Sequence, residues 1–413
     1  MKKKVCCFLL LMVLKMLLSG CGQLQNTENT WDLVKEEEVQ AVFLTMKGLE
    51  EMGEGMNAFA EKQKVSFEQP GHDTYGYDSL DEVEKLWYQD INAAFSVRSE
   101  EPVSLSEQGL EKGLTHEDVD KIYQCVLIDH PEYFFVEGYE YTVYLSQGNT
   151  VGIRLWGTYS LDSEECLRRN ALIEAETERI LQEAPTDGSD YDKIKYVYET
   201  IIYQTDYCMD AADNQNIYSV FVGHASVCQG YAKAAQYLLN RLSVACTLVF
   251  GEVEDAKGHA WNLVKADGDY YYLDTTWGDV SCRAGDSRGT ETEMPIINYD
   301  YLCITTEQLL RTHQITQKLP LPVCTQQKDN YYVKEGCYFT AYDEEQLQRE
   351  FEEAFGKEPY PVALKCDNTE TYELMCRKLL TEQQVFDYLD SSCKTIAYIE
   401  SKEQLSLTFW VTK

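Results

Sequence analysis

The spacing of apolar positions divides the chain into recognisable stretches. Val39, Val42, Phe43, Met46 and Leu49 recur at helical intervals and predict a helix within 31–63. Residues 64–78, with Pro70, Gly71 and Gly76, read as a connection, and 79–94 as a helix. Thr115 is placed to cap a helix over 116–127. Residues 133–156 are rich in Tyr, Phe, Val and Ile, with breaks at Gly138 and Gly148-Asn149, which predicts short strands and a hairpin. Helical spacing returns over 161–183 and ends at a turn-rich break, 185–190, that marks a domain boundary. Beyond it, Ile194, Val197, Tyr198, Ile201 and Ile202 lie on one helical stripe, and 244–253 is β-rich. Residues 260–266 and 270–276 flank Asp267-Gly268, a strong two-residue hairpin signal. The last segment predicts a strand at 331–340, a helix at 344–355, a strand at 361–366, a helix at 370–389, and strands at 395–399 and 405–411. That alternation is the pattern of a small α+β sandwich.

Composition adds exclusions. The 413 residues are 44% apolar and 26% charged, enough for two or three domains with a real core, so wholesale disorder is excluded. Lys and Arg number 36 against 70 Asp and Glu, a net charge of −34. Such a surface repels phosphate backbones and anionic lipid headgroups, so nucleic acid is not an expected partner. The N-terminus has a different character. Met1-Lys2-Lys3-Lys4 is followed by an apolar run from Val5 to Leu18, interrupted at Lys15, and then Ser19-Gly20-Cys21. A basic start, a short apolar stretch and small residues form a secretory signal, too short for a comfortable membrane span. Leu18-Ser19-Gly20-Cys21 resembles the lipobox of bacterial lipoproteins, which implies cleavage after residue 20 and lipidation of Cys21. Residues 22–30 then read as a polar tether, and the expected location is extracytoplasmic, anchored by that lipid.

Of 15 cysteines, Cys6 and Cys7 leave with the signal and Cys21 takes the lipid. The remaining twelve are scattered and contain no Cys-x-x-Cys, so zinc-ribbon and thioredoxin readings have no support. If one is a nucleophile, the others are odd in number and cannot all pair within the chain. Free buried thiols fit this spacing at least as well as disulfides.

The candidate chemistry lies in the middle segment. Ser226-Val227-Cys228-Gln229-Gly230-Tyr231 opens a helix whose stripe is Tyr231, Ala234, Leu238 and Leu242. With Ser226 as N-cap, Cys228 falls in the first turn, where the helix dipole and free N–H groups favour a thiolate and offer donors to an oxyanion. A thiol at a helix start needs a base. If Asp267-Gly268 is a two-residue loop, His259 pairs with Thr276 and Trp261 with Asp274. His259 and Asp274 then share a face as diagonal neighbours, about 7–8 Å apart. A carboxylate on one ring nitrogen fixes the tautomer and leaves the other to take the thiol proton. The expected constellation is Cys228, His259 and Asp274.

Val-Cys-Gln-Gly-Tyr at 227–231, Gly-His-Ala-Trp-Asn at 258–262 and Tyr-Tyr-Leu-Asp-Thr-Thr-Trp at 271–277 resemble the transglutaminase-like superfamily, especially its bacterial exported members. His259 follows Cys228 by 31 residues and Asp274 follows His259 by 15. The resemblance covers roughly 190–310 and extends to the helix before the Cys and to Thr205-Asp206-Tyr207. It implies a papain-like α+β core, in which a helix carrying the Cys packs on an antiparallel sheet carrying His and Asp. It also implies Cys228 as nucleophile, His259 as general base and acid, and Asp274 as the residue orienting it. Asp129-His130-Pro131-Glu132-Tyr133-Phe134-Phe135 resembles a segment often found upstream in bacterial members. The expected organisation is a signal at 1–20, a tether at 21–30, an N-terminal α+β region at 31–186, the catalytic core at 187–310 and a C-terminal α+β domain at 318–413.

The function this implies is a lipid-anchored cysteine enzyme cleaving amide bonds through a thioester, a peptidase or amidase acting on protein, peptide or cell-wall peptide. Transfer of the acyl group to an amine, as in a transglutaminase, and a non-catalytic surface-binding protein on the same fold are the alternatives. No cofactor and no metal are expected. The other candidates are weaker. His224 precedes Cys228 by four residues but has no carboxylate to orient it. Asn262 alternates to the opposite face from His259, and Asp279 reads as a turn residue. Trp261 and Trp277 either wall the cleft or pack in the core. The 30 tyrosines are too dispersed to locate a carbohydrate site, and Glu36-Glu37-Glu38 and 343–353 read as solvated helix faces. Asp187-Gly188-Ser189-Asp190-Tyr191-Asp192 loosely resembles a calcium loop but lacks its downstream Glu.

Overall fold

The computed structural model describes residues 74–280, 297–355, 361–389 and 396–411. The signal, Cys21, the tether and the helix expected within 31–63 lie outside the described residues, as do Cys282 and Cys393. No helix among the described residues is long and apolar enough to cross a membrane.

The chain forms two compact units, divided between Arg168 and Arg169. In the first, helix α1 (Glu84–Ser96) buries Trp87, Tyr88, Ile91 and Phe95, and helix α2 (Asp118–Asp129) buries Val119, Ile122, Tyr123 and Val126. Their sheet has the order β1–β3–β2, from β1 (Val103–Ser104), β2 (Val136–Ser146) and β3 (Asn149–Tyr159). The hairpin turns at Gln147-Gly148, both at positive φ, with Ser146 facing Asn149. Asp129-His130-Pro131-Glu132 organises this unit from inside. The buried Asp129 carboxylate accepts from the backbone N–H of Gly76 and Tyr77 (2.7 and 2.8 Å) and from the Tyr88 hydroxyl (2.8 Å). His130 Nδ1 meets Glu132 Oε1 at 2.7 Å. Burial still pushes the Asp129 carboxyl up, to about 6, against the pull of those donors.

Helix α3 (Ser163–Glu183) leads into the second unit. Helix α4 (Asp190–Gln204) starts on a capping box in which Ser189 and Asp192 exchange side-chain and backbone hydrogen bonds. The acidic run at 187–192 thus serves a helix start. Helix α5 (Cys228–Arg241) is enclosed nearly all round, with Tyr231, Ala234, Leu238 and Leu239 fully buried. It packs on an antiparallel sheet of order β6–β5–β4–β7, formed by β4 (Cys246–Val253), β5 (Lys257–Ala266), β6 (Asp269–Leu273) and β7 (Gln314–Ile315). The fold is the expected α+β arrangement of a Cys-bearing helix against antiparallel strands.

The C-terminal residues belong to the same compact unit as this core. Their sheet has the order β8–β9–β11–β10, from β8 (Tyr338–Phe339), β9 (Pro361–Cys366), β10 (Ile396–Ser401) and β11 (Ser406–Val411). Strands β8 and β9 are parallel and the other pairs antiparallel. Helices α7 (Glu344–Phe355) and α8 (Thr369–Cys376) flank the sheet; a short helix, α6 (Thr275–Gly278), precedes them in the core. Phe339, Leu347, Phe351, Leu364, Met375, Leu407 and Phe409 form the C-terminal core. Two expected elements differ. The strand at 331–340 begins instead as a helical turn, Tyr331–Lys334, capped by the Asn330 side chain and closed by Gly336 at φ 84°. The helix at 370–389 is cut into Thr369–Cys376, a π turn at Arg377–Thr381 and a 3-10 segment at Gln384–Tyr388, with Gln383 left-handed at the last break.

A buried ion pair ties these residues to the core. Asp300 accepts from Lys365 Nζ (3.0 Å), Tyr332 Oη (3.0 Å) and Ser406 Oγ (2.6 Å). The two charged side chains are 1% and 3% exposed, so neither can fall back on water. Burial lowers the proton affinity of Lys365, and the charge and hydrogen bond of Asp300 offset only part of that. Lys365→Met should therefore destabilise the chain by about 3–5 kcal/mol, by stranding a buried carboxylate. Adding Asp300→Asn should recover part of the loss. Urea unfolding of the two variants against the parent chain checks both outcomes.

Candidate active site

Cys228, His259 and Asp274 come together at the head of α5. The residue that caps the helix is Val227, extended at φ −120°, and not the expected Ser226. Ser226 sits one step earlier in a two-residue parallel ladder with Asp206-Tyr207, and its hydroxyl is used by Ser219 Oγ (2.7 Å) and Asn214 O (2.8 Å). Cys228 is then the first helical residue, where backbone N–H groups have no partner within the helix. Gly230 is required here because a Cβ would collide with the Ser226 hydroxyl. Tyr231 then fastens the turn, its hydroxyl 2.7 Å from Thr205 O and 3.0 Å from Asp279 Oδ2. Asp279, expected as a turn residue, is buried and serves this contact.

The hairpin has the expected register. Asp267 and Gly268 are both left-handed (φ 47° and 91°), Ala266 faces Asp269, and the ladder runs to Asn262 opposite Leu273. It ends there, so His259 never pairs with Thr276. Asp274 instead turns into α6, with its N–H donating to Tyr301 O at 3.0 Å. His259 stays on β5, held only by β4, where it faces Gly251. The carboxylate bridges the opened end of the hairpin: Asp274 Oδ2 lies 2.7 Å from His259 Nε2. The Cys228 sulfur hydrogen-bonds to the same imidazole. With Nε2 committed to Asp274, Nδ1 is the nitrogen left for the thiol.

Asp274 has no spare acceptor. Oδ1 takes the N–H groups of Thr276 and Trp277 (2.9 and 3.0 Å) as the cap of α6. Oδ2 takes His259 and a second imidazole, His313 Nε2, at 3.0 Å. His313 carries no motif and was not picked out by the sequence reading; its only signal is that it is one of six histidines in the chain. Trp261, Trp277 and Tyr301 enclose the two imidazoles, with ring centroids 4.7–5.4 Å from His313. Trp261 and Trp277 lie 5.8 and 6.3 Å from His259; Trp261 is fully buried and packs in the core beside the ring, while Trp277 keeps 7% exposure. The remaining candidates are elsewhere. His224 is exposed, and Asn262 spends its amide on the carbonyls of Ala232 and Thr247.

Exposure grades across the group. Cys228 and His259 keep 7% and 8%, against 1% for Asp274. Burial alone would lower the His259 pKa, but the Asp274 charge and hydrogen bond, with the Cys228 contact, raise it to about 10. Burial works against the Asp274 charge, yet His259 and His313 hold its carboxyl well below the usual range. His313 goes the other way: burial lowers it, and the Asp274 hydrogen bond only partly compensates. At neutral pH this describes an imidazolium at 259, a carboxylate at 274 and a neutral ring at 313. The donor set of His259, Asp274 and His313 is that of a metal site. Both ring nitrogens, however, converge on one carboxylate oxygen at hydrogen-bond distance, which suits N–H donors better than lone pairs aimed at an ion.

The ten described cysteines are free thiols. Burial pushes Cys125 and Cys324 up to about 11 and Cys366 to about 12, and raises Cys246, Cys303 and Cys337 as well. Cys228 lies beside the His259 imidazole.

No family model matches the sequence, and no curated protein matches it. Solved structures similar to it include a TGase, at 19% identity and a TM-score of 0.25 over 37% of this chain. A cysteine-protease candidate from Cytophaga hutchinsonii matches at 15% identity and a TM-score of 0.23 over 33% of this chain. A protease candidate from Parabacteroides distasonis matches at 9% identity and a TM-score of 0.21, also over 33%. The matches cover 47, 61 and 35% of those chains, under two thirds of each.

Asp274→Asn removes the charge that opposes burial at His259. The imidazole should then lose its proton below its ordinary 6.5 instead of near 10. An NMR titration of the ring protons of His259 checks the shift; an unchanged titration would place its cause outside Asp274.

Proposed function

We propose that this chain is a transglutaminase-like cysteine enzyme that cleaves amide bonds through a thioester on Cys228, and that it works outside the cytoplasm, anchored by lipid on Cys21. The observation that carries the catalytic reading is His259 between the Cys228 sulfur and an Asp274 carboxylate whose acceptor positions are all filled. The anchoring rests on the Leu18-Ser19-Gly20-Cys21 pattern.

In this reading the Cys228 sulfur attacks the carbonyl carbon of an amide. The carbonyl oxygen takes up negative charge at the N-terminus of α5, the positive end of the helix dipole. As the C–N bond breaks, His259 passes its proton to the leaving amine, and a thioester remains on Cys228. Water then attacks the thioester carbon while His259 removes its proton; the C–S bond breaks, the sulfur leaves with the electron pair, and the proton stays on His259, which restores the starting pair. Asp274 keeps Nε2 engaged throughout, so the ring presents Nδ1 at each step. An amine in place of water would turn the same thioester to transamidation. Hydrolysis is favoured because the bacterial exported proteins that the motifs resemble are often peptidase-like.

Profiling with electrophilic peptide and peptidoglycan fragments tests this directly. The expected result is one acylated or alkylated cysteine, Cys228, and complete loss of labelling in Cys228→Ala. Release of free acid from a trapped thioester supports hydrolysis, and transfer to an added amine replaces that reading with transamidation. Slow labelling spread evenly over the cysteines, unchanged in Cys228→Ala, would overturn the enzyme and favour a binding protein.

A further inference from the structure

His313 lies just before β7, with a side chain enclosed completely. Its Nε2 is 3.0 Å from Asp274 Oδ2, and its Nδ1 is 2.8 Å from Thr312 Oγ1. Tyr301 Oη is 3.2 Å from the same Thr312 oxygen. The donors and acceptors accommodate a neutral ring, although Thr312 Oγ1 also lies 3.5 Å from Leu309 O. A carboxylate can only accept, so Nε2 carries a hydrogen. Tyr301 can donate to Thr312 Oγ1, which leaves the threonine proton for Nδ1. In that arrangement, which burial of the ring favours, His313 is neutral, hydrogen-bonded at both nitrogens, and packed 5.5 Å from the ring of His259.

We propose that His313 is a positioning residue that, by giving Asp274 Oδ2 a second hydrogen bond from a neutral ring, limits how tightly Asp274 holds the proton on His259. This rests on the triad reading above. An oxygen that serves two donors offers less to each, so the His259 proton is more easily released to a leaving amine. A second cation at this position would work against the charge on His259; a neutral donor tunes the pair without that conflict. The other titratable groups facing the relay are Cys228 from α5, Tyr198 from α4, and Tyr301 and Asp300 from the 299–301 turn. Asp300 is neutralised by Lys365, and burial holds Tyr198 protonated. His313 is therefore the group placed to adjust the His259–Asp274 bond.

The test is the pH dependence of Cys228 alkylation by iodoacetamide in the full chain, followed by mass spectrometry of the labelled residue. This profile needs no substrate and changes where the His259 imidazolium loses its proton. His313→Phe should move that inflection upward by about one pH unit, the scale of one hydrogen bond to a charged group. His313→Gln, whose amide can donate, should return it close to the parent position. A purely structural role would change yield or stability and leave the inflection where it was; that result in a folded His313→Phe overturns the inference and leaves the triad intact. If His259→Ala has the same profile as the parent chain, the triad reading fails and this inference with it. In the unsubstituted protein, nitrogen-15 shifts of His313 should show a neutral ring protonated at Nε2. A charged ring, or one protonated at Nδ1, overturns the proposal even if the phenylalanine variant does not fold.

Discussion

A single carboxylate, Asp274, holds the site together. It receives two backbone N–H groups on one oxygen and two imidazoles on the other, with almost no exposure. An isolated buried carboxylate would be costly; four donors make it a stable anion. Its charge opposes the effect of burial on His259, its geometry commits Nε2, and its cap holds the short helix that brings in Trp277. Most features of the site trace back to how this residue is satisfied.

The central hairpin and helix were legible because short-range rules decide them. Asp267-Gly268 fixes a two-residue turn, and the turn fixes register. His259 and Asp274 could thus be placed on one face from spacing, while Cys228 was joined to them by its place at a helix start and by the resemblance of the motifs. The mechanism of their meeting was less accessible. Diagonal neighbours in a continuous ladder were expected, whereas the ladder ends at Leu273 and the acid reaches across from a helix cap. On the outer edge of the strand the Tyr301 carbonyl, from a turn distant in sequence, takes the Asp274 N–H. His313 was invisible for the same reason. It is brought to the site by tertiary packing, and nothing in Thr312-His313-Gln314 marks it locally.

Elsewhere the misreadings also follow from non-local effects or from single residues. The C-terminal sheet came out closely because strongly periodic segments such as 344–355 and 361–366 declare themselves. The segment 331–340 is β-rich in composition, but Asn330 and Gly336 impose a helical turn on it. Asp129-His130-Pro131-Glu132 was noticed without an assignable purpose. Its acid gathers backbone amides from a neighbouring turn, a role that depends on residues more than fifty positions away.

Asp300 is adjacent to Tyr301, the residue whose carbonyl anchors Asp274 and whose ring rests on His313. Through Lys365 and Ser406, the C-terminal strands grip the peptide that shapes the reactive centre. The distal portion of the chain is accordingly a keystone and not an appendage: a polypeptide truncated before β9 would retain every triad side chain yet lack the brace that sets their spacing.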